Sequence, residues 1–159
     1  SEGLGLGSFG SRKALAGIWI CQFRFNKINE EDQTVETATE TMVVKLKQTG
    51  NKIKGYSLFA VDHPEVFEGC ISNERYFTGT YYNQNNQHGF HGAFQFVLSN
   101  RHKRMEGKWI GFNRAGNSVE AENWRWMKVD DSLNVGVAKL KEFIKKVQKE
   151  DLFKTSLFI

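Results

Sequence analysis

The chain has 159 residues, of which 40% are hydrophobic and 25% charged, and carries a formal net charge of +4. That length fits one domain with a real core, and the composition is that of an ordinary globular protein. No apolar run approaches the roughly 20 residues of a membrane helix, no leader peptide is visible, and two cysteines are too few for a disulfide framework.

Residues 1–12 hold four glycines without periodicity, so 1–13 read as a flexible linker or a cloning remnant. The opening Ser1-Glu2, rather than Met, reads as a fragment of a longer protein or a processed chain. From 14 to 130 the chain is a succession of predicted strands, at 17–27, 35–48, 52–62, 66–73, 75–83, 90–99, 105–114 and 119–129. Each is rich in β-branched and aromatic residues and bounded by Asn, Gly, Asp or Ser. Pro64 falls in a connection, where it spoils no ladder. After 131 the period changes. Leu133, Val137, Leu140, Ile144 and Val147 recur at steps of four and three, which predicts a helix over 132–150 with Asp131 or Ser132 as its cap. Its expected place is docked on the wall of the preceding domain, with self-pairing as the alternative. Residues 132–159 also hold six lysines against Glu142, Glu150 and Asp151, and so supply most of the net charge. A solvated face is the plain reading of those lysines, and an anionic membrane surface the sharper one.

Glycine recurs inside the strands, in Ile53-Lys54-Gly55, Phe67-Glu68-Gly69, Phe77-Thr78-Gly79, Phe90-His91-Gly92 and Met105-Glu106-Gly107. Glycine weakens a strand unless a bend or a close backbone approach requires it. Closing eight strands into a small barrel creates that requirement at its corners, and a flat sandwich does not. The fold class expected is therefore all-β: an eight-stranded antiparallel up-and-down barrel over 14–130, followed by a C-terminal helix and tail over 131–159. Strand alternation puts short turns at one end and long polar loops at the other. Such a barrel has a laced floor and an open mouth suited to one small ligand.

Taking the glycine-bearing face as interior, Trp19, Leu46, Ile53, Phe77, Leu98, Met105, Trp109 and Trp126 form the floor. Toward the mouth the inward positions become Lys27, Ser57, Phe59, Tyr81, Asn83, Asn113, Glu120 and Glu122, with Arg114 in the adjoining loop. Tyr81 and Phe59 would stack on a base, Asn83 and Asn113 would match its edge, and Lys27 with Arg114 would meet phosphate. Against this, tyrosine and asparagine at strand ends often satisfy nearby backbone, and Glu120 and Glu122 oppose a strongly anionic ligand. Cys21 and Cys70 have opposite parity, which argues for two reduced cysteines. His63, His88, His91 and His102 make no metal spacing, and no nucleophile elbow or phosphate loop is present. No enzyme activity, metal or cofactor is expected. The basic residues of 99–104 are too few for long nucleic acid.

Gly17-Ile18-Trp19, with Arg125 and Lys128 near the end of the last strand, resembles the lipocalin-type, or calycin, barrel. In that family a Gly-x-Trp opens the first strand and a basic side chain packs over the tryptophan. Leu15 to Trp19 also resembles the avidin-type opening, although the residues that clasp biotin are not recognisable. The patterns at 43–55, 77–81, 89–99, 105–112 and 122–129 are similar to bacterial barrel domains attached to membrane segments. Some of these serve as nucleotide receptors in cyclic-oligonucleotide antiphage signalling (CBASS). That resemblance implies a cytoplasmic sensor domain for a cyclic oligonucleotide, with a membrane anchor outside this chain and homo-oligomers as partners. A carrier of an apolar metabolite and a ligand-free assembly module remain as alternatives.

Overall fold

The computed structural model describes residues 15–58, 64–84, 91–113, 117–132, 136–148 and 152–153, with helix side chains described as far as 146. Its strands are β1 (Gly17–Ile28), β2 (Val35–Thr49), β3 (Lys52–Ser57), β4 (Glu65–Ser72), β5 (Tyr76–Asn83), β6 (His91–Leu98), β7 (Arg104–Asn113) and β8 (Ser118–Asp130). A single described helix, α1 (Val137–Gln148), follows. The strands close in sequence order into an antiparallel barrel, β8 returning to β1. This is the expected architecture, because alternation gives every strand one apolar face and hairpin connections leave consecutive strands adjacent. The region 1–13, read as a linker, lies outside the described residues.

Floor turns are tight and use left-handed backbone at Gly50, Asn73, Glu74 and His102. The repeated glycines face the backbone of the next strand. A Cβ at Gly79 would overlap the carbonyl oxygen of Glu68, and one at Gly107 that of Gln95. Gly69 and Gly79 are register partners, so two strands approach there with no side chain between them. Strong coiling at these points is what lets a narrow barrel close around bulky rings.

Those rings fill the interior. The Trp124 indole lies 5.3–6.1 Å, centroid to centroid, from the rings of Phe23, Phe67, Tyr81, Phe94, Phe96 and Trp126. Beneath it Trp19, Leu46, Ile53, Phe77, Leu98 and Met105 are fully or almost fully buried, as expected. Trp19 donates to the Leu15 carbonyl at 2.9 Å, and Lys128 Nζ stands 5.4 Å from the Trp19 ring centroid. Cys21 is buried among the rings, where burial holds its thiol well above the ordinary range, while Cys70 is exposed and both are free.

Some boundaries differ from expectation. The third strand is described only to Ser57, and 59–63 lie outside the described residues. The helix begins at Val137 rather than 132. Gly136, rather than Asp131 or Ser132, precedes its first turn, and the Ser132 N–H is received by Asp130, at 2.7 Å, before the helix begins. The first helical bond runs from Leu140 to Gly136. The helix docks on the outer wall. Leu140 is buried with Ile18, Ile20 and Val43, joined by Phe143 and Ile144. Val137, expected on that stripe, is exposed: in the first turn it lies beyond the apolar wall. Farther on, Leu152 N–H donates to Gln22 at 2.8 Å, its carbonyl accepts from Arg125 at 3.1 Å, and Arg24 covers the Phe153 ring at 4.2 Å.

Candidate functional site: the barrel mouth

Above the rung where Phe23 faces Trp124, the barrel changes character. The β1–β8 ladder runs from Ile18↔Asp130 to that rung, yet β1 continues with β2 as far as Ile28↔Val35 and β8 with β7 as far as Ser118↔Asn113. Residues 24–28 and 118–123 therefore face each other across a seam without ladder bonds. Side chains of β7 fill the gap by reaching beneath β8. Trp109 Nε1 donates to the Arg24 carbonyl at 3.2 Å, and Asn113 Nδ2 donates to the Asn26 carbonyl at 3.0 Å. Asn113 and Asn26 also donate to Glu120 Oε1, at 3.1 and 3.3 Å. Backbone acceptors that lose a ladder partner need another, and these amide and indole groups supply it.

This places two expected site residues in a structural latch. Asn113 has its amide committed to the seam, and Glu120 is its acceptor rather than a solvated rim charge. Trp109, expected at the floor, instead stands at the height of the seam, opposite Glu122. Lys27 is half exposed and lies 3.7 Å from Glu36. Phe59 and Arg114 lie outside the described residues.

On the opposite side of the mouth, β3, β4 and β5 bring Ser57, Glu65, Tyr81 and Asn83 together. Glu65 opens β4 with the same parity as Phe67, Gly69 and Ile71, so it faces inward. Its N–H donates to Ser57 Oγ at 2.9 Å, and its Oε1 accepts from Asn83 Nδ2 at 3.1 Å. Ser57 and Asn83 are each only 8% exposed. The other carboxylate oxygen, Oε2, is shut off from solvent and has no hydrogen-bond partner. Burial first, and then the nearby Glu40, push the Glu65 carboxyl above the usual range, partly offset by the Asn83 bond.

Tyr81 roofs the aromatic interior. Its phenol lies against Gly92 and Gly111, where any Cβ would collide with it. The ring meets Trp124 edge to face at 5.6 Å. Burial, reinforced by the charge of Glu65, pushes its hydroxyl up to about 12, so it stays a neutral donor at physiological pH. Sequence reasoning missed Glu65 and Trp124. Both were within reach of strand parity, Glu65 from Phe67 and Trp124 from Trp126.

Chemically, the mouth is an acid-rich rim above an aromatic base. Inward positions above the Trp124 rung carry Glu36, Glu40, Glu65, Glu120 and Glu122 against Lys27. Among the described residues no group of His, Cys, Asp and Glu is arranged to hold a metal ion, and no helix is long and apolar enough to cross a membrane. No family model matches the chain, and no curated protein matches it. Among solved structures it is similar to a redesigned β-barrel, at 10% identity and a TM-score of 0.45, over 75% of this chain and 94% of that one.

Proposed function

We propose that the protein is a small-ligand-binding barrel whose site is the inside of its mouth. The observation that carries this is the change, within a rung, from a ring-packed interior to converging polar side chains of β3, β4 and β5. Buried polar groups are costly where they serve no partner, and a purely structural barrel would continue its apolar packing to the rim. The Gly17-x-Trp19 opening with Lys128 over the Trp19 ring supports a calycin-like reading.

The antiphage resemblance implies a cyclic oligonucleotide as ligand. Its phosphates would have to meet Lys27, which Glu36 already holds, among several carboxylates. Its bases would therefore point inward, with their amino groups toward Glu65 and their faces over Tyr81. An apolar metabolite would need the space that Trp124 and its ring neighbours occupy. That same filling favours the remaining alternative, an assembly module with no ligand.

The test is titration calorimetry with cyclic di- and trinucleotides, organic amines and neutral aromatics, with amide chemical shifts to locate any binder. Saturable binding that moves the Glu65, Tyr81 and Asn83 resonances supports a mouth site. Absence of saturable binding across the whole panel leaves the assembly module.

A further inference from the structure

The geometry points to a ligand recognised through a cationic nitrogen, an amine, amidine or guanidine, whose N–H groups are received by Glu65 Oε2 once that side chain turns it from its buried position toward the barrel mouth. This rests on the mouth being a ligand site, and it names what the site selects.

The argument begins with how Glu65 is held. It sits in register with Asn83, and the Asn83 amide and the Ser57 hydroxyl, both more than nine-tenths buried, fix one oxygen and the backbone N–H. A carboxylate has capacity for about four acceptor bonds. One oxygen here is oriented by the Asn83 amide, while the other is buried and unmet. Native structures rarely leave such an atom without a purpose or a partner. Only a donor completes the set, so a second carboxylate or a phosphate is the wrong chemistry.

Charge selects among donors. Glu40 from β2 acts on Glu65 through space, and Glu65 acts on Tyr81 of β5. The remaining inward side chains add Glu36, Glu120 and Glu122 against the single Lys27, which Glu36 pairs, so the charge stays mainly negative. A site of one sign with low-dielectric walls concentrates the opposite charge. The Tyr81 ring beside Glu65 favours an organic cation further, because aromatic faces attract ammonium and guanidinium groups. A metal ion does not fit: neutral Ser57 and Asn83, rather than further carboxylates, are Glu65's direct partners, and no metal-binding cluster exists among the described residues.

The experiment compares matched ligands on the intact chain by calorimetry and tryptophan fluorescence. Phenethylammonium and agmatine are the cations, phenethyl alcohol the neutral isostere, adenosine a neutral nucleobase amine, and cyclic di-AMP the anion. The cations should bind about tenfold or more tighter than the isostere, the ratio a charge-assisted hydrogen bond provides. Glu65→Gln should remove that preference, while Glu122→Gln, which takes one charge from the field and no acceptor from the ligand, should weaken it less. Amide spectra of both variants verify folding. Equal or tighter binding of phenethyl alcohol, adenosine or cyclic di-AMP overturns the cation assignment and leaves the mouth site standing. An equal loss in Glu122→Gln overturns Glu65 as the receiver. No binding by any compound removes both the site and this inference.

Discussion

The floor and the mouth of this barrel solve closure in different ways. Below the Phe23↔Trp124 rung every neighbouring pair of strands is laddered, and the interior is a continuous stack of rings on a base of Leu46, Ile53, Leu98 and Met105. Above it the β1–β8 ladder stops, and Trp109 and Asn113 bridge the seam with single side-chain hydrogen bonds. Apolar packing is non-directional and stabilises the floor collectively. The mouth depends on a few directional bonds among groups that would otherwise prefer water. Collective packing therefore belongs to the floor, and directional polar bonding to the mouth.

The strongest way to break that contrast is at its boundary. Trp124→Ala removes the ring on which the interior converges and should destabilise the fold by about 3–5 kcal/mol, the usual cost of a buried aromatic truncation. A denaturant midpoint shifted by less than Tyr81→Ala shifts it would mean that the interior is not the main source of stability. Next in size is Gly107→Val. Its Cβ would collide with the Gln95 carbonyl of β6, and overpacking plus backbone strain should cost roughly 3 kcal/mol. An unchanged unfolding curve would mean that close strand approach does not explain the recurring glycines.

The floor was legible in the sequence and the mouth only partly so. Period-two alternation marked the strands, the recurring glycines chose a barrel over a sandwich, and short turns placed its floor. Chain-order hairpins then left little freedom in topology. Parity also found Tyr81, Asn83, Ser57 and Glu120 as inward groups. What sequence could not supply was their partners. Asn113 binds the backbone of β1 across β8, a relation set by where a ladder ends, and no periodicity marks that end. Glu65 escaped because the expected fourth strand begins at 66, one residue too late. The size of Trp109 suggests the floor, whereas its register against Glu122 sets it at the seam.

A smaller effect sharpens the contrast at the seam. Asn113→Ala removes donors to the Asn26 carbonyl and to Glu120, at a cost of about 1 kcal/mol. Hydrogen exchange should quicken in residues 24–28 and 118–123 and stay unchanged in 18–23 and 124–128. Uniform acceleration along both strands would show that the seam unfolds with the floor as one unit.

The subtlest change reverses sign. Glu65→Gln keeps the shape and the acceptor that Asn83 needs, and replaces a half-buried carboxylate by a neutral amide. The carboxyl of Glu65 is raised in the folded state, mainly by burial and secondarily by Glu40. Tyr81, the other titratable group bearing on it, stays neutral below about 12. A raised acid favours folding while it is protonated, so that contribution is complete below the ordinary glutamate value near about 4.3. It is lost as pH rises through the folded value. The two proteins should thus be equally stable at about pH 4. By pH 7 the Gln form should be ahead by about 1 kcal/mol, the low end for an unmet buried charge because some solvent reaches the side chain. Thermal unfolding across pH 4–8 measures the gap. A parent that gained on the variant with rising pH would mean the carboxylate is already satisfied in the free protein, leaving no vacancy for a ligand donor. Adding agmatine at pH 7 should narrow the gap, because it stabilises the parent and leaves the variant where it was.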